Sequence, residues 1–281
     1  MKIAWIGTGV MGRPMALNLR KSGYNVHVYN RTAKKAFDME KEGVVAHETI
    51  ASCVEDADFV FTIVGYPKDV LDVYQVVFKH AKKGAVLIDM TTSSPTLAVN
   101  LYHRGRELGF SLLDAPVTGS DVAAINAALS IMAGGDEDAF NKALPLFQKL
   151  GTTINYMGKS GSGQHAKLAN QAAIAGAIAG VAESLSYANE KGLDLTKMLN
   201  VITNGSAASW QAANNGAKMI AKNDQPGFYV KHFLKDLNLI LEEAKNFSPE
   251  VVKTVQKIYA KLSDDGLGDL GTQAILHYYL K

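Results

Sequence analysis

The run Gly7-Thr8-Gly9-Val10-Met11-Gly12 follows an apolar stretch at residues 2–6 and leads into helix-compatible spacing from Pro14. A turn of this pattern between a strand and a helix has a specific physical purpose. Gly7 permits the tight turn, Gly9 lets the backbone approach a pyrophosphate, and Gly12 lets helix and strand pack closely. The helix start then presents N–H groups and the positive end of the helix dipole to the phosphates. The run predicts a dinucleotide-binding unit, with Gly7, Thr8, Gly9, Val10, Met11 and Gly12 against the cofactor.

The pattern around it agrees. Short apolar runs at residues 2–6, 25–29, 59–64, 86–89 and 110–114 alternate with helical spacing at residues 14–22, 33–42, 70–79 and 95–108. That rhythm means a parallel sheet. Gly23, Gly43, Gly84 and Gly109 stand where glycines close helices, and Ser94-Pro95 reads as a cap with proline at the first helical position. After Gly163 the strand signals nearly vanish, and an alanine-rich run to Lys191 precedes further helical segments, the last capped by Ser248-Pro249-Glu250 and running through Leu262. The expected fold is an α/β Rossmann-type doubly wound parallel sheet over residues 1–162, followed by an all-α domain over residues 163–281. Ala172, Gly176 and Gly180 recur at helical spacing and form a small-residue seam for close helix packing.

The end of the second strand bears on which dinucleotide is held. An NAD enzyme presents an acid to the ribose hydroxyls there, but this chain has Asn30-Arg31-Thr32. Asn30 is neutral, Arg31 can make a charge-assisted bond to a 2′-phosphate, and Thr32 adds a hydroxyl, so NADP is favoured over NAD.

Composition closes off other classes. With 29 basic and 27 acidic residues the net charge is only +2, so no nucleic-acid footprint is present. The single cysteine, Cys53, reads as a buried filler, and no residue spacing suggests a metal site. Residues 168–181 are too short to span a bilayer, and Met1 to Ile6 run into a glycine turn rather than a secretory signal, so a cytoplasmic protein without membrane partners is expected.

Four motifs in order then resemble the β-hydroxyacid dehydrogenases, the family of 3-hydroxyisobutyrate dehydrogenase, tartronate semialdehyde reductase and glyoxylate/succinic semialdehyde reductases. They are the glycine turn continuing as Gly12-Arg13-Pro14-Met15, then Asp114-Ala115-Pro116-Val117-Thr118-Gly119-Ser120, then Gly161-Ser162-Gly163-Gln164-His165-Ala166-Lys167-Leu168-Ala169-Asn170-Gln171, and Lys235-Asp236-Leu237. The resemblance places substrate binding on Thr118, Gly119 and Ser120, where hydroxyls and backbone N–H groups suit a small carboxylate-bearing substrate. It also implies that Val64, Gly65, Pro67 and Thr92 lie near the cofactor, that Lys235 closes over the nicotinamide side, and that the protein is a homodimer or homotetramer. Asp236 reads equally as part of that motif or as an ordinary acid at a helix start.

The catalytic lysine of the family falls on Lys167, with Asn170 and Gln171 beyond it. Positions i, i+3 and i+4 share a helix face, so all three can converge on one small molecule. His165 points to another face. Hydride transfer to a carbonyl leaves charge on oxygen, and an ammonium group can protonate and stabilise that oxygen. The expected activity is hydride transfer between NADP(H) and a small 3-hydroxy acid or its semialdehyde. The alternatives are a catalytically silent dinucleotide-binding module, which has no need of Lys167, and an imine reductase-like enzyme, which usually carries aspartate or tyrosine there. A decarboxylating enzyme similar to 6-phosphogluconate dehydrogenase needs a larger helical domain.

Overall fold

The computed structural model describes residues 1–280. The chain divides into two compact units, Met1–Lys167 and Leu168 onward. The division falls inside a helix, a little beyond the boundary at residue 162 expected from sequence.

The first unit alternates β1 (Lys2–Ile6), α1 (Gly12–Lys21), β2 (Asn25–Tyr29), α2 (Ala33–Phe37), β3 (Val45–His47), α3 (Ile50–Val54), β4 (Phe59–Thr62), α4 (Pro67–His80), β5 (Val86–Asp89), α5 (Pro95–Glu107) and β6 (Ser111–Asp114). It continues through β7 (Val117–Thr118), α6 (Asp121–Ile125), β8 (Leu129–Gly135), α7 (Glu137–Phe147) and β9 (Gly151–Gly158) into the start of α8 (Ser162–Glu190). The sheet order is β3-β2-β1-β4-β5-β6-β8-β7, with β9 beside β8. β1 to β6 are parallel, β8 runs antiparallel to β6 and β7, and β9 is parallel to β8.

Alternation along β1 shows the double winding. Ile3 and Trp5 enter a core with Met15 and Leu19 of α1 and Phe147 of α7, whereas Ala4 and Ile6 enter a second core with Cys53, Val70, Tyr74 and Leu101. Both faces of the sheet are therefore covered, as parallel strands require. The Trp5 and Phe61 rings stack at 5.1 Å between centroids. Cys53 is buried as expected, and burial pushes its thiol up to about 12.

Sequence spacing passes over β3, β7, β8 and β9. β3 has three residues on a sheet edge, β7 has two, and β9 carries mainly exposed side chains such as Thr152, Thr153 and Asn155. β8 is buried through Ala133, Gly134 and Gly135, residues that give no strand signal. The helix expected over residues 33–42 is interrupted: α2 ends at Phe37 and a 3₁₀ turn covers Glu40–Glu42. At α5 the expected cap is present, with Leu97 N–H donating to Ser94 Oγ at 3.3 Å.

The second unit is helical: the rest of α8, α9 (Leu195–Asn204), a π turn Ala212–Gly216 running into α10 (Ala217–Ile220), α11 (Val230–Glu243), α12 (Glu250–Leu262) and α13 (Leu276–Tyr279). Its own core gathers Ile178, Leu185, Leu237 and Ile258 around Phe233 and Tyr259, whose rings meet edge to face at 4.9 Å. The start of α12 differs from the sequence reading. Pro249 is itself the cap residue rather than the first helical one, and Ser248 Oγ bonds the Glu250 carboxylate instead of a backbone N–H. Among the described residues no helix is long and apolar enough to cross a membrane.

Candidate active site

The parallel strands bring several loops to one end of the sheet. The glycine turn leaves the C-terminal end of β1 at the point where strand order reverses, with β2 on one side and β4 on the other. That is where open α/β sheets bind ligands. Gly7 has φ +100°, and a Cβ there would lie 2.0 Å from the Ile63 carbonyl oxygen; on Gly12 it would lie 2.0 Å from the Gly7 carbonyl oxygen. Gly9 is the opposite case, since a Cβ on it meets no atom within 4 Å. Thr8 Oγ1 is buried without a hydrogen-bond partner, and no side chain caps the start of α1. An open approach to Gly9, an orphaned hydroxyl and an uncapped helix start form a cradle that fits a pyrophosphate.

Asn30 faces this loop. Its Oδ1 accepts from Thr8 N–H at 3.0 Å and its Nδ2 donates to the Thr32 carbonyl at 3.1 Å. Its carboxamide thus braces the loop from the end of β2. Arg31 is 88% exposed and pairs with Asp69 at 3.2 Å. A depression of about 280 Å³ beside the loop is lined by Thr8, Gly9, Val10, Arg13, Lys35 and Asp38. Lys35 was not singled out from sequence; its position in the first turn after Thr32 was the available signal.

Val64 and Gly65 follow β4, Pro67 opens α4 at its first turn, and Thr92 follows β5. Thr91 ties these loops together, because its Oγ1 accepts from Val64 N–H at 3.0 Å and its N–H donates to Asp89 Oδ1 at 3.0 Å. Thr118, Gly119 and Ser120 lie where β7 prolongs the line of β6 along β8. Ser120 Oγ accepts from Ala123 N–H at 3.3 Å and caps α6.

Lys167 lies on the second turn of α8 and is only 7% exposed. Lysine is almost never that buried without a structural or chemical reason. His165 is exposed, in keeping with its different helix face. The start of this helix is held by residues that sequence reasoning quoted within motifs and gave no role. Asp114 accepts from Gly161 N–H at 2.8 Å and from Gln164 N–H at 2.9 Å. Burial pushes its carboxyl up to about 6, against the amide hydrogen bonds that favour the ionised form. The signal was the position of Gln164, three residues before the lysine and directly after Gly163.

Within the second unit, four of the residues named from sequence form one chain of polar contacts. Asn170 Nδ2 donates to Gln171 Oε1 at 3.2 Å, Gln171 Nε2 donates to Asp236 Oδ2 at 2.7 Å, and Lys235 Nζ pairs with Asp236 Oδ1 at 3.0 Å. Asp236 is buried in the middle of α11, so the reading of it as a helix-start acid is wrong. Its carboxylate is instead the link between Gln171 and Lys235. Among the described residues no cluster of histidine, cysteine and acids is placed to hold a metal.

Known proteins resemble this one along nearly the whole chain. The family model for the NAD binding domain of 6-phosphogluconate dehydrogenase matches residues 2–158, and that for NAD-binding of NADP-dependent 3-hydroxyisobutyrate dehydrogenase matches residues 161–279. A probable 3-hydroxyisobutyrate dehydrogenase-like mitochondrial protein of Arabidopsis thaliana is 44% identical over 98% of this chain and 84% of its own. The 2-hydroxy-3-oxopropionate reductase of Escherichia coli is 34% identical over 98% of this chain and 96% of its own. A solved 3-hydroxyisobutyrate dehydrogenase of Mycobacterium tuberculosis, with L-serine, matches with a TM-score of 0.90 at 29% identity over 98% of each chain.

Proposed function

Because this chain belongs to the 3-hydroxyisobutyrate dehydrogenase family of NAD(P)-dependent hydroxyacid dehydrogenases, we propose that it moves a hydride between NADP(H) and a small 3-hydroxy acid or the corresponding semialdehyde. Lys167 is the acid and base. The observation that carries this reading is a buried lysine on the helix that follows the Gly161-Ser162-Gly163 turn. Bound dinucleotide supplies or accepts the hydride at its nicotinamide. In the reducing direction Lys167 Nζ donates a proton to the carbonyl oxygen and stabilises the alkoxide as it forms; in the oxidising direction it takes the hydroxyl proton back. Thr118, Gly119 and Ser120 hold the substrate carboxylate, and Asn170 and Gln171 orient the substrate.

The preference for NADP(H) is supported by the absence of an acid at the end of β2, where Arg31 follows Asn30, and by Lys35, which lines the depression beside the glycine loop. A guanidinium gains charge-assisted hydrogen bonds from a 2′-phosphate that a plain ribose does not offer. A homodimer or homotetramer is part of the same proposal. It is supported by open space over Gly180 and by the exposed apolar side chains Tyr187 and Val201 in the helical unit.

The test is steady-state kinetics with NADPH and NADH against glyoxylate, succinic semialdehyde, tartronate semialdehyde and methylmalonate semialdehyde, repeated with Arg31→Ala. NADPH oxidation with at least one of them is expected, as is a loss of roughly tenfold, about 1.4 kcal/mol, in NADPH affinity for the variant. Equal use of NADH by the wild type contradicts the cofactor assignment, and inactivity toward all four contradicts the substrate class.

A further inference from the structure

Gln164 is fully buried, one helical turn before Lys167. Both hydrogen-bonding ends of its carboxamide are used on the loop that follows β5. Its Oε1 accepts from Ser93 N–H at 2.8 Å, and its Nε2 donates to the Thr91 carbonyl at 2.7 Å. Its own N–H is held by Asp114, which also holds Gly161. Through Thr91 Oγ1 the same loop is bonded to Val64 N–H at the end of β4. One uncharged side chain therefore joins the loop bearing Thr92 to the helix bearing Lys167.

We propose that Gln164 is the positioning residue for Lys167, setting the register between the start of α8 and residues 91–93 so that the lysine meets the reacting oxygen. The inference rests on the reading of Lys167 as the acid and base. A carboxamide suits the task because it donates and accepts in one plane without charge, so it can be buried with both bonds made. The lysine stands three residues further along, about 4.5 Å up the helix axis, so a rotation or slide of the first turn is passed on to its stem. A displacement of about 1 Å at a reacting group is enough to cost roughly a hundredfold in rate.

Two variants test this, beside Lys167→Ala as control. Gln164→Met fills a similar volume with neither bond. Its kcat should fall about 30- to 100-fold, within the range for a misplaced catalytic group, while NADPH affinity falls by roughly threefold at most, since the glycine loop is untouched and Val64 and Thr92 feel the change only through the loop that Gln164 holds. Gln164→Glu carries its own internal comparison. Protonated, its O–H donates to the Thr91 carbonyl and its other oxygen accepts from Ser93 N–H; ionised, it sets a carboxylate against that carbonyl. Burial raises such a carboxyl, so the ratio of variant to wild-type kcat per NADPH-binding site should approach one at low pH and fall about tenfold or more as pH rises, a limb beyond the one that Asp114, raised to about 6 and bonded to the Gln164 N–H, gives both proteins. A role confined to stability lowers the melting temperature and the number of binding sites without adding that limb.

If Lys167→Ala abolishes turnover while Gln164→Met stays within about threefold of wild type, the inference fails and the reading of the lysine stands. If Lys167→Ala is itself nearly wild type, both fall. Should Gln164→Met not fold, the Gln164→Glu profile decides, and the absence of the extra limb overturns the proposal.

Discussion

Two glycine-rich turns lead into helices in the first unit, and they are in opposite electrostatic states. Before α1, the helix start is uncapped, Thr8 Oγ1 has no partner and a Cβ on Gly9 would meet nothing. Before α8, the helix start already holds its own anion. The Asp114 carboxylate accepts from Gly161 and Gln164 N–H groups, and a Cβ on Gly163 would lie 2.2 Å from the Asp114 carbonyl oxygen and 2.4 Å from that of Met132. Similar composition thus yields one turn open to a ligand's phosphates and one sealed against them. A helix N-terminus attracts an anion in either case; what differs is whether the protein provides it. In the proposed function the open turn serves binding, whereas the sealed one fixes the direction of a helix whose second turn carries Lys167.

Substitutions at the two turns should separate these roles. The largest effect on the fold is expected from Gly163→Ala, since the new methyl collides with two backbone carbonyls that have little room to move. A loss of about 3 kcal/mol should appear in urea unfolding, and a near wild-type midpoint would show that the second turn is not tightly packed. Asp114→Asn should cost less, about 1–3 kcal/mol, because one amide partner is kept and the other N–H then faces an NH₂ group.

That variant should also change how stability depends on pH. The Asp114 carboxyl is raised from 3.8 to about 6 by burial, so its favourable contribution is full below 3.8 and is lost as pH rises through 6. His27 acts in the other direction. Burial, with Lys2 and His47 nearby, holds it at about 4 against 6.5, so its contribution is full above 6.5 and is lost as pH falls through 4. The two slopes oppose each other between pH 4 and 6 in the wild type. Asp114→Asn leaves His27 alone, and unfolding at several pH values should show a steeper loss on acidification; an unchanged slope would remove Asp114 from the account. The smallest effect on the fold is expected from Gly9→Ala. Its melting temperature should match wild type, yet NADPH should bind roughly tenfold more weakly, about 1.4 kcal/mol, because the methyl occupies the phosphate approach. Unchanged affinity would mean that the open turn is not the cradle.

The same contrast explains what was legible in the sequence. The open turn announced itself, because Gly7, Gly9 and Gly12 are spaced by the requirements of a single local turn. The parallel strands were equally plain, since burial on both faces leaves continuous apolar runs such as those of β1 and β4. The sealed turn was not readable, because its anion comes from Asp114, 47 residues before Gly161 in the chain. The contacts of Gln164 were hidden for the same reason: its partners Thr91 and Ser93 belong to a distant loop. β8 and β9 were missed because the alternation of Leu129 and Ile131 is short and runs into Ala133-Gly134-Gly135, which disfavours a strand, and because β9 leaves most of its side chains exposed and so shows no apolar period. Asp236 read equally as part of its motif or as a helix-start acid until α11 placed it beside Gln171 and Lys235.

The proposed function divides binding and chemistry between the two turns: the open one holds the dinucleotide and the sealed one aims Lys167. It is tested most directly by measuring turnover and NADPH dissociation on one preparation of Lys167→Ala. Turnover should fall by roughly 10²–10⁴-fold, the range for lost acid–base catalysis, with NADPH affinity within about twofold of wild type. Turnover within about threefold of wild type, or a loss of NADPH affinity as large as the loss of rate, would contradict the division.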